Sequence, residues 1–199
     1  MEPVTLGATG LAVTPIGLGL AALGRPAYID LGRDVDLGPD RSVDVMEDRS
    51  HQLLDAAYDA GIRYVDAARS YGLAERFLGS WLDSRGREPG DPTVGSKWGY
   101  EYVGDWRLDA PVQERKDHSP AMLERQYAAS RAELGDHLLL YEIHSATLES
   151  GVLDDATVLR ELDGLRRSGL VVGLTVSGPR QAEVIRRALA VSVDGENPL

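Results

Sequence analysis

The sequence predicts an α/β protein built on a parallel sheet, and two observations carry that prediction. Short, continuous apolar runs recur along the chain at 16–20, 62–65, 93–97, 138–144 and 170–176, as expected of strands buried on both faces. Between them lie longer stretches with apolar residues at helical spacing, several of them ended by glycine. After a short N-terminal hairpin, strand and helix signals alternate five times. Such alternation means either a doubly wound sheet or a (β/α)8 barrel. A chain of 199 residues is long enough for one domain with a sizeable core, and 1–199 is read as one.

Composition narrows the chemistry. There is no cysteine, which removes disulfides, thiolate metal sites and cysteine catalysis. A net charge of −11 argues against nucleic acid and anionic membranes as partners. It leaves room for an anionic cofactor in a locally basic pocket. The start, Met-Glu-Pro-Val-Thr, lacks the basic and apolar regions of a signal peptide. No apolar run approaches the ~20 residues of a membrane helix. A cytoplasmic protein without a resident metal is the expectation.

Each element has its own signal. Residues 4–14 place apolar residues on both sides of a Gly-Ala-Thr-Gly turn and predict a hairpin. Residues 16–20 form the first buried strand. Gly17, Gly19 and Ala22 match the spacing of a dinucleotide-binding loop, but that loop must open a helix. Pro15 precedes the match, and Gly24-Arg25-Pro26 and an Asp-rich loop to about Asp44 follow it, so no helix is expected there. Helix signals begin near Glu47, with Leu53, Leu54, Ala57 and Tyr58 on one face and Gly61 at the end. Strand 62–65 leads to Asp66, with Tyr71 in a loop closed by Gly72. The helix at 74–84 carries Phe77, Leu78, Trp81 and Leu82. After strand 93–97, residues 98–118 read as a long loop bearing Trp98, Tyr100, Tyr102 and Trp106. Ser119-Pro120 is a helix start, an N-cap followed by proline. Strand 138–144, a helix at about 155–167, strand 170–176 and a last helix opened by Ser177-Gly178-Pro179 complete the pattern.

The strand ends carry the chemistry. Asp66, Ser96-Lys97, Glu142-Ile143-His144 and Thr175-Val176-Ser177 stand at the C-terminal ends of four successive strands, where barrel enzymes build their sites. A phenol titrates near ~10, so Tyr71 is a weak proton donor until a nearby ammonium stabilises its phenolate. Lys97 can supply that charge, Asp66 can position Lys97, and His144 can hydrogen-bond a substrate oxygen. Trp98, Tyr100 and Trp106 are candidate walls of a substrate pocket. This machinery suits giving a proton to a carbonyl oxygen, with the hydride coming from a nicotinamide cofactor.

These residues resemble the aldo-keto reductases. The matching pieces are Leu6-Gly7-Ala8-Thr9-Gly10-Leu11 with Leu18-Gly19, then Val65-Asp66-Ala67-Ala68-Arg69-Ser70-Tyr71-Gly72. They continue with Glu75, Leu78-Gly79, Ser96-Lys97, Tyr141-Glu142-Ile143-His144 and Gly173-Leu174-Thr175-Val176-Ser177. The resemblance implies a TIM-type (β/α)8 barrel, present here in part as a hairpin and about five βα units. It implies a catalytic tetrad of Asp66, Tyr71, Lys97 and His144, with Tyr71 as general acid and NADPH, less often NADH, as cofactor. Gly19, Asp66 and Ser177 are its implied cofactor contacts, and Trp98 and His144 its substrate contacts. The family's asparagine after that serine is Gly178 here. A barrel usually takes roughly 250 residues, and the chain reaches Asn197-Pro198-Leu199 where a sixth strand is expected. The family grips the cofactor phosphates mainly after strands six to eight. Three readings stay open: a fragment, a chain whose barrel is completed by self-association or a second chain, or a remnant without activity. The expected function is reduction of a small aldehyde or ketone. The alternative is an inactive or regulatory protein on the same fold.

Overall fold

The computed structural model describes residues 1–27 and 38–199. In chain order the elements are β1 (Val4–Thr5), β2 (Ala12–Val13), β3 (Leu18–Gly19), α1 (Val43–Asp59), β4 (Tyr64–Asp66) and α2 (Ala74–Ser84). There follow β5 (Thr93–Trp98), β6 (Tyr100–Tyr102), β7 (Glu114–Lys116), α3 (Pro120–Leu134), β8 (Leu138–Ala146), α4 (Ala156–Arg167), β9 (Val171–Val176) and α5 (Gln181–Leu189). The N-terminal hairpin forms as expected, with β1 antiparallel to β2. It is tied beneath the sheet by the Thr93 hydroxyl, which donates to the Ala12 carbonyl at 2.7 Å.

The five apolar runs become one parallel sheet in the order β3-β4-β5-β8-β9. All four pairings are parallel, and β3 and β9 are its edges among the described residues. Helices cover one face. Leu54, Phe77, Leu78, Trp81, Leu82, Leu123, Leu162 and Val184 are buried, most of them in one apolar cluster with Val65, Val94, Tyr141 and Ile143 from the strands. Ser119 caps α3 by accepting from the Met122 N–H at 3.3 Å. Asp155 caps α4 by accepting from Thr157 and Val158 N–H at 2.8 and 3.1 Å.

Four expectations change. The first helix starts at Val43, before Glu47, because Ser42 stands at its N-cap and Asp44 suits its first turn. Its buried stripe is Met46, Ser50 and Leu54, while Leu53 is 43% exposed. The seat is thus set one position round the helix from the face that the apolar residues suggested. The first strand pairs only over Leu18–Gly19, leaving Ile16 exposed. The stretch 98–118 is no plain loop: β6 and β7 pair antiparallel within it, Tyr100 opposite Lys116. Residues 21–26 form turns, as expected after the Gly17-Gly19 match. The centre of the Asp-rich loop, 28–37, lies outside the described residues.

Candidate active site

The site grows from the backbone after β4. Beyond Asp66 the chain continues to lean on β5, with Ala67 N–H donating to Gly95 O at 2.9 Å and Arg69 N–H to Lys97 O at 3.0 Å. Tyr71 N–H then turns back to Ala68 O at 3.0 Å. Gly72 completes the turn at φ +65°, where a Cβ would stand 2.3 Å from the Gly24 carbonyl oxygen. Only glycine allows the loop to close that tightly. Tyr71 is thereby fixed over the C-terminal end of the sheet.

Strand alternation decides which β5 residues join it. Ser96 and Trp98 share the helix side with Val94, whereas Lys97 points to the inner face with Gly95. Lys97 Nζ donates to Asp66 Oδ2 at 2.5 Å and to the Ala67 carbonyl at 2.8 Å. It lies 4.9 Å from the centre of the Tyr71 ring. The His144 ring stands edge-on to Tyr71, with centroids 5.5 Å apart at 88°. The four tetrad residues expected from the sequence are therefore neighbours. Burial holds the Asp66 carboxyl above its ordinary range even though the Lys97 ammonium pulls the other way. Burial lowers the His144 imidazole from 6.5 to about 3, with Lys97 and the nearby His118, Arg25 and Lys116 acting in the same sense. His144 is neutral at physiological pH, a hydrogen-bonding group and not a cation.

The remaining expected residues fall in different places. Gly19 pairs in register with Asp66, is exposed, and has no atom within 4 Å of a would-be Cβ. Ser177 follows β9, its hydroxyl donating a long bond of 3.4 Å to the Ser145 carbonyl. Trp98 has no exposed surface and packs edge-on against His118 at 5.6 Å, on the helix side instead of beside Lys97. Trp106 lies away from the tetrad, its indole N–H donating to Arg41 O at 2.8 Å and its ring 6.2 Å from Phe77. Tyr100 reaches the tetrad, with its ring 5.0 Å from that of His144.

Two neighbours of the tetrad have no role in the sequence reading. Glu142 pairs in register with Lys97 on one side and Gly173 on the other. Burial lifts its carboxyl to about 7, opposed by Lys97 and reinforced by Asp66. It has no hydrogen-bond partner among the described residues. Its strand-end position was the signal, but nothing in the sequence separates it from a surface acid. His118 stands in the long segment after β5, and no spacing points to it. Its Nε2 donates to the His144 carbonyl at 3.0 Å, and burial lowers its pKa from 6.5 to about 4.

A parallel sheet with aspartate, lysine, tyrosine and histidine gathered at its strand ends has the layout of part of a (β/α)8 barrel. The Aldo/keto reductase family matches residues 15–196, and the chain belongs to that family. It is 28% identical to a D-threo-aldose 1-dehydrogenase of Pseudomonas sp., over 92% of this chain and 55% of that protein. It is 29% identical to a pyridoxal 4-dehydrogenase of Microbacterium luteolum, over 94% of this chain and 58% of that protein. A crystal structure from Pseudomonas aeruginosa, of a protein assigned to the aldo-keto reductases, superposes with a TM-score of 0.69 at 28% identity. That match covers 98% of this chain and 65% of the other. The chain thus spans a little over half the length of these two curated relatives. Among the described residues no helix is long and apolar enough to cross a membrane.

Proposed function

We propose that this chain carries the proton-transfer half of a nicotinamide-dependent aldo-keto reductase acting on a small aldehyde, ketone or sugar. One observation carries the reading: Lys97 bridges Asp66, at 2.5 Å, and the Tyr71 ring, at 4.9 Å, with His144 edge-on to the same ring. Tyr71 gives its hydroxyl proton to the substrate carbonyl oxygen. The Lys97 ammonium stabilises the phenolate left behind, and solvent returns the proton. Asp66 holds Lys97 in place. His144, neutral, donates from a ring nitrogen to the same substrate oxygen and fixes its direction.

The strand ends fit a nicotinamide. Gly19 leaves open space beside Asp66, and the Ser177 hydroxyl is only weakly engaged, so it is available to a carboxamide. When bound, NADPH or NADH supplies the hydride to the carbonyl carbon. The names of the sugar and pyridoxal dehydrogenases support a small polar substrate and the reverse reaction at the same site.

The test is Tyr71→Phe. We expect carbonyl reduction to fall about 10²–10⁴-fold, the usual worth of a positioned general acid. Cofactor binding, followed by tryptophan fluorescence, should be retained. Undiminished reduction by the variant would remove Tyr71 from its role. A folded chain that binds no cofactor at millimolar concentration would favour a non-catalytic module.

A further inference from the structure

The segment between β5 and α3 sends three contacts to one place. The Tyr100 ring lies 5.0 Å from that of His144. His118 Nε2 donates to the His144 carbonyl at 3.0 Å, and Lys116 Nζ donates to the Ser145 carbonyl at 3.0 Å. Two consecutive carbonyls of β8 are thus held by side chains from one segment. They need holding, because β8 slips register between Ile143 and Ala146, and Ser145 sits at φ +51°. A bulge takes backbone groups out of the ladder and re-aims the side chain beside it. Here that side chain is His144. On the far side the bulge is pinned by Thr175, whose hydroxyl accepts from the Ser145 N–H at 2.8 Å.

The seat of His118 is shaped to the ring. Gly99 lies at φ +104°, and a Cβ there would come within 2.1 Å of His118 Cδ2. Trp98 and Tyr100 pack edge-on to the imidazole at 5.6 and 6.0 Å. A carbonyl can only accept, so Nε2 carries the proton. Nδ1 is then a buried acceptor with no hydrogen-bond partner among the described residues. Phenylalanine would fill this seat without stranding an acceptor. What the imidazole adds is its donor to His144.

We propose that His118 is a positioning residue for His144, clamping the β8 bulge so that the His144 ring stays between Tyr71 and Tyr100. The catalytic consequence rests on the reading of His144 as the group that orients the carbonyl. The test combines NMR of the 199-residue protein with kinetics. In His118→Phe the cross-relaxation between the His144 and Tyr71 rings should weaken at least twofold, about the least that marks a displaced ring, with helix content unchanged. His118→Gln, which keeps an N–H donor, should restore it. With saturating cofactor, kcat should drop about tenfold in the Phe variant, the scale of a slightly misplaced group. Cofactor affinity should not change, and the Gln variant should recover. Unchanged ring contacts in folded His118→Phe would overturn the proposal. So would a wild-type His118 Nε2–H that exchanges with water as fast as a solvated imidazole, a measurement that needs no variant. If wild-type protein shows the contacts and the slow exchange but no turnover, the clamp stands and the reductase reading fails.

Discussion

On the helix side of β5, Ser96 donates to Glu75 Oε1 at 2.5 Å, Ser130 donates to the same oxygen at 2.7 Å, and Arg69 pairs with Oε2. One residue further on, on the inner side, Lys97 meets Asp66, while Glu142 faces the same ammonium with no hydrogen bond among the described residues. Both clusters bury carboxylates beside one strand. Around Glu75 both oxygens are engaged, and the cluster joins β5, α2, α3 and the loop that leads to Tyr71. It is built for stability and for holding the loop. Around Lys97 partners are fewer than charges, and burial lifts the Asp66 and Glu142 carboxyls while it lowers two histidines. Groups whose charged forms are poorly solvated mark a candidate functional site. The difference is that the buried charge around Glu75 is fully partnered, while the charge around Lys97 is not.

Acid should break the inner cluster first and give the largest effect. His118 and His144 titrate near 4 and 3 in the folded protein against 6.5 when unfolded. The unfolded chain therefore takes up protons first as pH falls. Stability is fully present above pH 6.5 and is lost progressively towards the folded values, by about 3 kcal/mol for each imidazole at pH 4. Urea melts at pH 7 and 4 measure this in Glu142→Gln, where the roughly 3 kcal/mol that the carboxyl regains on protonation no longer offsets the loss, and equal midpoints there would show the imidazoles to be freely solvated. Glu75→Ala should break the outer cluster instead, because Arg69 and two hydroxyls lose their partner. Its expected cost is roughly 3–5 kcal/mol at pH 7, again by denaturant melts. A loss under 1 kcal/mol would mean that the network contributes little. Glu142→Gln should act in the opposite direction. The carboxyl rises from 4.5 to about 7 on folding, so its ionisation penalises the folded state as pH climbs through that window. Gln removes the penalty, adding roughly 3 kcal/mol at pH 8 and almost nothing at pH 4. A pH-independent effect would break the contrast between the two clusters.

Much of this was legible in the residues. Asp66, Lys97 and Ser177 sit at strand ends because the apolar runs stop there, and a strand's length is written in its hydrophobic pattern. Tyr71 was legible because Gly72 marks the turn that holds it. The faces were harder to read. Nothing in the order Ser96-Lys97-Trp98 says which of the two sides looks at Asp66, and the tryptophan looks away. The first helix shows the same limit: Leu53 fits an apolar stripe but stays exposed, while α1 buries Met46, Ser50 and Leu54 and reaches α2 through Glu47, His51 and Asp55.

By itself the sequence determined the alternation of strands and helices, the family, and the four residue types brought together at the sheet's end. These rest on periods and turns within single elements, where each residue acts on its near neighbours. Only the tertiary structure decided that 98–118 folds as a hairpin, that β8 bulges at Ser145, and that His118 reaches the carbonyl of His144 across 26 residues. Those depend on contacts between distant segments. There a hydrogen bond is set by how the sheet twists and packs, and no local pattern records it.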